Sequence, residues 1–296
     1  MRAVQPTGMA EIHPLLQQKK VFMSVGVWDP LSALLAERAG FDSVFLSGYA
    51  VAGATLGLAD FGMMTQTEVL DAARRVIAAV DLPVIVDGDT GHGGVLNVQR
   101  MVRELVAMGA AGVILEDQVW PKRCGHMADK QVVSLEEHAA KITAAREAIG
   151  DARLMIVGRT DAIAPLGLDE AIRRGNAYAR AGADLVFVEA PETVEDMKRI
   201  VAEIDAPLTL NMIDGGKTPR LSLEQVHELG FVSVGYVLTA LFSATAAMAR
   251  AFQHLREQGT SEGLDDSMVG FDEFTSLVGL QECYETDRRF RKGEKA

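Results

Sequence analysis

The chain has 296 residues, enough for one large α/β domain, with 48% hydrophobic and 24% charged residues. A net charge of −12 argues against a nucleic-acid partner, whose phosphates call for clustered Lys and Arg. No run approaches the ~20 apolar residues of a membrane span, and residues 1–20 lack the apolar stretch of a signal peptide, so a cytoplasmic enzyme without membrane attachment is expected.

In chain order, short runs rich in Val, Ile, Leu and Phe at 21–26, 43–47, 83–87, 112–116, 154–159, 185–189, 207–211 and 232–236 predict eight strands. Their nearly continuous apolar character suits parallel strands covered on both faces. Amphipathic helices fill the intervals. The first starts at Asp29-Pro30, where proline suits the first helical position. Capping boxes at Thr65/Glu68, Ser134/Glu137 and Ser222/Gln225 open three others. Small-residue turns at 39–42, 109–112, 181–184 and 229–231 lead from helix back to strand, each with a glycine able to turn through the left-handed region. Eight such units without a break in composition predict a closed (β/α)8 TIM barrel. An open doubly wound sheet would show a glycine fingerprint after its first strand, and Gly26-Val27-Trp28 is not one. An apolar helix over 239–255 follows, and residues 259–296 form a more polar helical extension of the single 1–296 domain. That extension exceeds what one barrel needs and predicts an oligomer.

Catalytic residues of such barrels lie at the C-terminal ends of the strands. Those ends carry Ser47-Gly48-Tyr49, Asp87-Gly88-Asp89, Glu116-Asp117, Arg159-Thr160-Asp161, Glu189 and Asn211. Any one of them could merely cap the following helix; together they indicate a site. Asp87, Asp89 and Glu116, on adjacent strands, would repel one another without a cation among them. Oxygen ligands alone suit Mg²⁺ or Mn²⁺, with Asp60 joining from the loop after the second strand. Zinc is disfavoured, because Cys124 and His126 lack further ligands at tetrahedral spacing, and the distant Cys283 makes no CxxC pair. Arg159 matches a carboxylate substrate; the competing reading is a structural ion pair with Glu189 or Asp161. Ser47 and the amides of Gly48 and Tyr49 could hold a second carboxylate. The loop 119–131 is basic in an acidic chain and long enough to act as a lid, and its Cys124 is flanked by Arg123 and followed by Gly125-His126. Nearby cations make a thiol usable in acid/base chemistry.

Lys122-Arg123-Cys124-Gly125-His126, following Glu116-Asp117-Gln118, resembles the isocitrate lyase / phosphoenolpyruvate mutase superfamily, on its lyase branch. The resemblance runs from about residue 21 to 290 and includes Leu56-Gly57-Leu58-Ala59-Asp60, Asp87-Gly88-Asp89-Thr90-Gly91 and Asn211-Met212-Ile213. Within the branch the chain is similar to the 2-methylisocitrate lyases and, closer still, to the petal death protein / 2,3-dimethylmalate lyase group. This implies a homotetramer that exchanges its eighth helix between subunits. It also implies Mg²⁺ bound directly by Asp87, with Asp60, Asp89 and Glu116 acting largely through water. The implied reaction is cleavage of a 2-hydroxy di- or tricarboxylate to a 2-oxo acid and a carboxylate. Cys124 would protonate the departing carbon, helped by His126 and Glu189, while Gly125 and Asn211 contact substrate. Oxaloacetate hydrolysis or decarboxylation is the rival within the superfamily. Phosphonate chemistry and a non-catalytic barrel are weaker ones. Val237, where relatives commonly carry proline, and Ala59 depart from the pattern.

Overall fold

The structure, a computed structural model, describes residues 14–17, 20–125, 127 and 129–291. Its first compact unit, Met1–Leu241, is built on alternating strands and helices. In order these are β1 (Phe22–Val27), α1 (Pro30–Arg38), β2 (Ser43–Leu46), a one-turn α2 (Gly48–Val51), α3 (Gln66–Ile77), β3 (Val84–Asp87), α4 (Val95–Met108) and β4 (Gly112–Glu116). There follow α5 (Leu135–Ile149), β5 (Met155–Thr160), a one-turn α6 (Ile163–Leu166), α7 (Leu168–Ala181), β6 (Leu185–Val188), α8 (Val194–Glu203), β7 (Leu208–Met212), α9 (Leu223–Leu229) and β8 (Ser233–Tyr236). The strands form one closed parallel barrel in sequence order, β8 pairing back onto β1, as the eight apolar runs predict.

Local chemistry fixes the helix starts. Thr65 and Ser222 form the expected capping boxes, and Asp29/Ser32 and Thr193/Asp196 form two more with Ser and Asp in the place of Glu or Gln. Ser134 differs: its Oγ accepts from the Glu137 amide at 3.1 Å without the reciprocal bond, the Glu137 carboxylate lying 3.9 Å from Lys141 instead. The segment after β2 is helical, α2 running into a π-helical turn at Ala52–Leu56.

Strand side chains alternate between the two faces of the sheet. Phe45, Ile85, Ile114, Val157 and Phe187 belong to one buried cluster inside the barrel. Residues one position away, such as Val44, Val86, Val113 and Ile156, pack outward against the helices. Two residues beyond the inward set the barrel ends, and the side chains there are Ser47, Asp87, Glu116, Arg159 and Glu189. The period-2 rule that buries the core thus aims this polar layer into the mouth. One glycine is needed at the seam: on β1, a Cβ at Gly26 would fall on the backbone carbonyl of Val237, which crosses over it.

The second compact unit, Phe242–Ala296, begins within α10 (Thr239–Gln258) and continues through α11 (Phe271–Leu277) and α12 (Leu280–Arg291). Phe252, Phe271 and Phe290 in it are exposed. Among the described residues, no helix is long and apolar enough to cross a membrane.

Candidate active site

The mouth gathers most of the residues singled out from sequence. Ser47, Tyr49, Asp60, Asp87, Cys124, Gly125, Arg159, Glu189 and Asn211 line a single cavity. Asp89 and Glu116 are buried behind it, and Gly48 sits against Asp87. His126 lies outside the described residues.

The acidic set is organised around Asp87. Its two carboxylate oxygens accept from the Gly48 and Asp89 amides, each at 3.2 Å. The second bond closes a tight turn that holds Asp89 at φ 48°, a left-handed conformation that Asp tolerates better than most residues. The Gly48 amide, expected to serve a substrate carboxylate, is therefore committed to Asp87. Lys122 Nζ stands 2.6 Å from both Asp60 and Asp89. Burial disfavours that ammonium, but Asp89, Glu116, Asp87 and Asp60 outweigh the penalty and hold its pKa well above the usual lysine range. Burial raises the Asp89 carboxyl to about 6 and drives Glu116 upward as well. Asp89 Oδ2 and Glu116 Oε1 are buried without a hydrogen-bond partner.

These features fit a hard cation. Four carboxylates converge on one positive charge, and two of them keep lone pairs unsatisfied. Among the described residues no three Asp, Glu, His or Cys side chains stand together as direct ligands. Carboxylate oxygens of this kind are the donors that Mg²⁺, which keeps several waters, prefers, and they are not the nitrogen and sulfur set of zinc.

Arg159 lies across the opposite wall. Its guanidinium donates to Asp161 through Nε at 2.8 Å and Nη2 at 3.1 Å, and pairs with Glu189 at 3.0 Å and Glu116 at 3.3 Å. The structural ion pair foreseen as a competing reading is thus real, yet Arg159 still lines the cavity. Beneath it, fully buried Asp117 accepts from the Thr160 hydroxyl, the Asp161 amide, Arg174 and the Tyr178 hydroxyl at 2.7–2.9 Å. This hub fixes Asp161, and through it Arg159. Sequence reasoning missed the hub because Arg174 and Tyr178 lie 57 and 61 residues from Asp117, beyond any local pattern.

Two of the loop's cations have partners away from the thiol. Lys122 turns into the acidic set, and Arg123 stacks on Phe61 at 4.9 Å and reaches Asp129 at 3.7 Å. Tyr49 interacts electrostatically with Cys124: burial first, then the charges of Cys124 and Asp60, push its hydroxyl pKa up. The remaining wall is apolar, formed by Phe45, Ile213, Val237 and Leu238.

The profile of the family described as phosphoenolpyruvate phosphomutase matches residues 12–256. The petal death protein of Dianthus caryophyllus is 49% identical over 290 residues, 98% of this chain and 91% of that protein. The 2,3-dimethylmalate lyase of Eubacterium barkeri is 40% identical over 284 residues, 96% of this chain and 98% of that protein. Among solved structures, oxaloacetate acetylhydrolase in complex with 3,3-difluorooxalacetate superposes with a TM-score of 0.89 at 32% identity, covering 95% of this chain and 96% of that one.

Proposed function

The chain belongs to the phosphoenolpyruvate mutase / isocitrate lyase superfamily, and from that premise we propose that it is a Mg²⁺-dependent carbon–carbon lyase acting on 2-hydroxy dicarboxylates of the alkylmalate type. The observation that carries the proposal is the meeting of Cys124 with Asp87, Arg159 and Asn211 around one cavity. Asp87 would hold the ion directly, with Asp60, Asp89 and Glu116 acting through water. When bound, the ion supplies charge stabilisation to the oxygens at C2 of the substrate.

Arg159, locked through Nε and Nη2 by Asp161 and Glu189, would turn its Nη1 donors to the C1 carboxylate. Ser47 and Asn211 orient the second carboxylate. Transfer of the C2 hydroxyl proton to a water molecule would allow the C2–C3 bonding pair to leave with C3, and C2 becomes the carbonyl of a 2-oxo acid. The Cys124 thiol gives its proton to C3, releasing a saturated carboxylate and leaving a thiolate to be reprotonated from solvent. Among the described residues lining the cavity the cations are Lys122 and Arg159, both already paired with carboxylates, which leaves neither for a third substrate carboxylate. The wall of Phe45, Ile213, Val237 and Leu238 instead suits an alkyl group, which supports alkylmalates over 2-methylisocitrate.

Oxaloacetate hydrolysis is the second reading, favoured by the likeness to oxaloacetate acetylhydrolase, since a hydrated 2-oxo group presents the same oxygens to the metal and Arg159. The exposed Phe252, Phe271 and Phe290 of the C-terminal unit support assembly as a homotetramer.

Incubation with Mg²⁺ and 2,3-dimethylmalate, other 2-alkylmalates, 2-methylisocitrate and oxaloacetate separates the readings. Release of a 2-oxo acid is expected from alkylmalates, and Cys124→Ser should lower kcat by at least about 100-fold. Full activity of Cys124→Ser on the best substrate would refute the lyase assignment.

A further inference from the structure

Lys130, at the end of the Cys124 loop, makes contacts that no loop-solubilising lysine needs. Its side chain is 2% exposed; the ammonium donates to the Gly125 carbonyl and, at 2.9 Å, to Asp161 Oδ1. The same Asp161 oxygen accepts from Arg159 Nη2 at 3.1 Å. One carboxylate therefore serves both the guanidinium that faces the cavity and the ammonium that grips the residue next to Cys124. On the other side of the cysteine, Gln118 holds the Arg123 backbone, Nε2 donating to its carbonyl at 2.8 Å and Oε1 accepting from its amide at 2.9 Å. Cys124 is bracketed by two clamps, and the Lys130 clamp runs to the Arg159 wall. Burying an ammonium is costly unless its partners are fixed, and Asp161 is fixed by the hydrogen bond its backbone N–H donates to Asp117 Oδ1.

We infer that Lys130 is a positioning residue that latches the Cys124 loop onto the carboxylate orienting Arg159, so that docking of the thiol and orientation of the guanidinium are one event. The inference rests on the reading that both groups act on one substrate, and it adds the element that couples them.

The test uses the full chain with Mg²⁺, comparing wild type with Lys130→Met, and with Lys130→Gln should the first fail to fold. Hydrogen exchange over residues 119–131 should accelerate in the variant while the melting temperature stays close to wild type. Affinity for oxalate, a minimal dicarboxylate probe of the Arg159 wall, should weaken about 10-fold by calorimetry. Turnover of the best alkylmalate should fall about 100-fold in kcat/KM, with kcat and KM moving together. Unchanged exchange in the loop overturns the latch. Faster exchange with unaltered oxalate affinity overturns the coupling. If wild type turns over no member of the substrate panel, the lyase reading fails, while exchange and oxalate binding still decide the latch.

Discussion

Gly125 stands against Arg159 with no room for a side chain: a Cβ there would come within 2.5 Å of the guanidinium Nη2. The close approach lets the loop backbone lie flat on the Arg159–Glu189 pair and bring Cys124 to the cavity. A Gly125→Ala methyl, which would also fall on Glu189 Cδ, must displace the loop, the Glu189 carboxylate or the guanidinium. The expected result is a fall of about 100-fold in kcat/KM. Thermal unfolding should change little, because the loop lies outside the apolar clusters of the core. Steady-state kinetics beside a melting curve checks both.

Arg159 neutralises Asp161, Glu189 and Glu116, all buried. Arg159→Met removes the shared partner and should cost about 3–5 kcal/mol in urea unfolding. Part of that loss should return in Arg159→Met/Glu189→Gln, where one orphaned charge is removed as well. Arg159→Lys should remain inactive despite its charge, since an ammonium cannot span both Asp161 oxygens as the guanidinium does.

Metal removal gives a third test. Dialysis against EDTA should abolish turnover, and Mg²⁺ or Mn²⁺ should restore it. Zn²⁺ should not, for want of the nitrogen and sulfur ligands it prefers. Asp87→Asn should lose Mg²⁺ binding by calorimetry while still folding, because an amide oxygen can still accept from the Gly48 or Asp89 amides.

A pH-dependent loss of stability should arise at His138, which packs on Tyr178 of the Asp117 hub. Its ring is fully buried, edge-on to Tyr178 at 4.6 Å, and burial lowers its pKa to about 4. The unfolded chain takes up a proton at this histidine below about pH 6.5, and the folded chain does so only below about 4. The stability gained by keeping the ring neutral is therefore complete above pH 6.5 and is lost as the pH falls through that window. The loss amounts to about 3 kcal/mol. Urea unfolding at pH 7 and pH 4.5 should show the slope in wild type and a shallower one in His138→Leu, where His92, also lowered to about 4 by burial, still contributes.

The barrel was legible because parallel strands covered on both faces leave continuous apolar runs, and the polar residue ending each run marks the mouth. Asp87, Arg159, Glu189 and Asn211 could be placed on that basis alone. The partners that fix them could not, since Asp117 meets Arg174 and Tyr178 only through the packing of α7 on the barrel. Lys122 illustrates a different limit. Its charge was visible, and its neighbourhood to Cys124 in sequence suggested an action on the thiol. The four carboxylates draw its ammonium away, and only the fold reveals that competition. Lys130 was likewise one basic residue among several in the loop until Gly125 and Asp161 came together around it.

The crossing of Gly26 by the Val237 carbonyl bears on how this site can diversify. The backbone after β8 is seated directly on β1, so the residue at 237 inherits a fixed path whatever its side chain. Along that path Val237 and Leu238 supply half of the apolar wall. A lineage could therefore exchange the group recognised there by single substitutions, leaving the walls that carry Asp87, Arg159 and Cys124 untouched. Gly26 itself is the position where such drift would be forbidden, although it never meets the ligand.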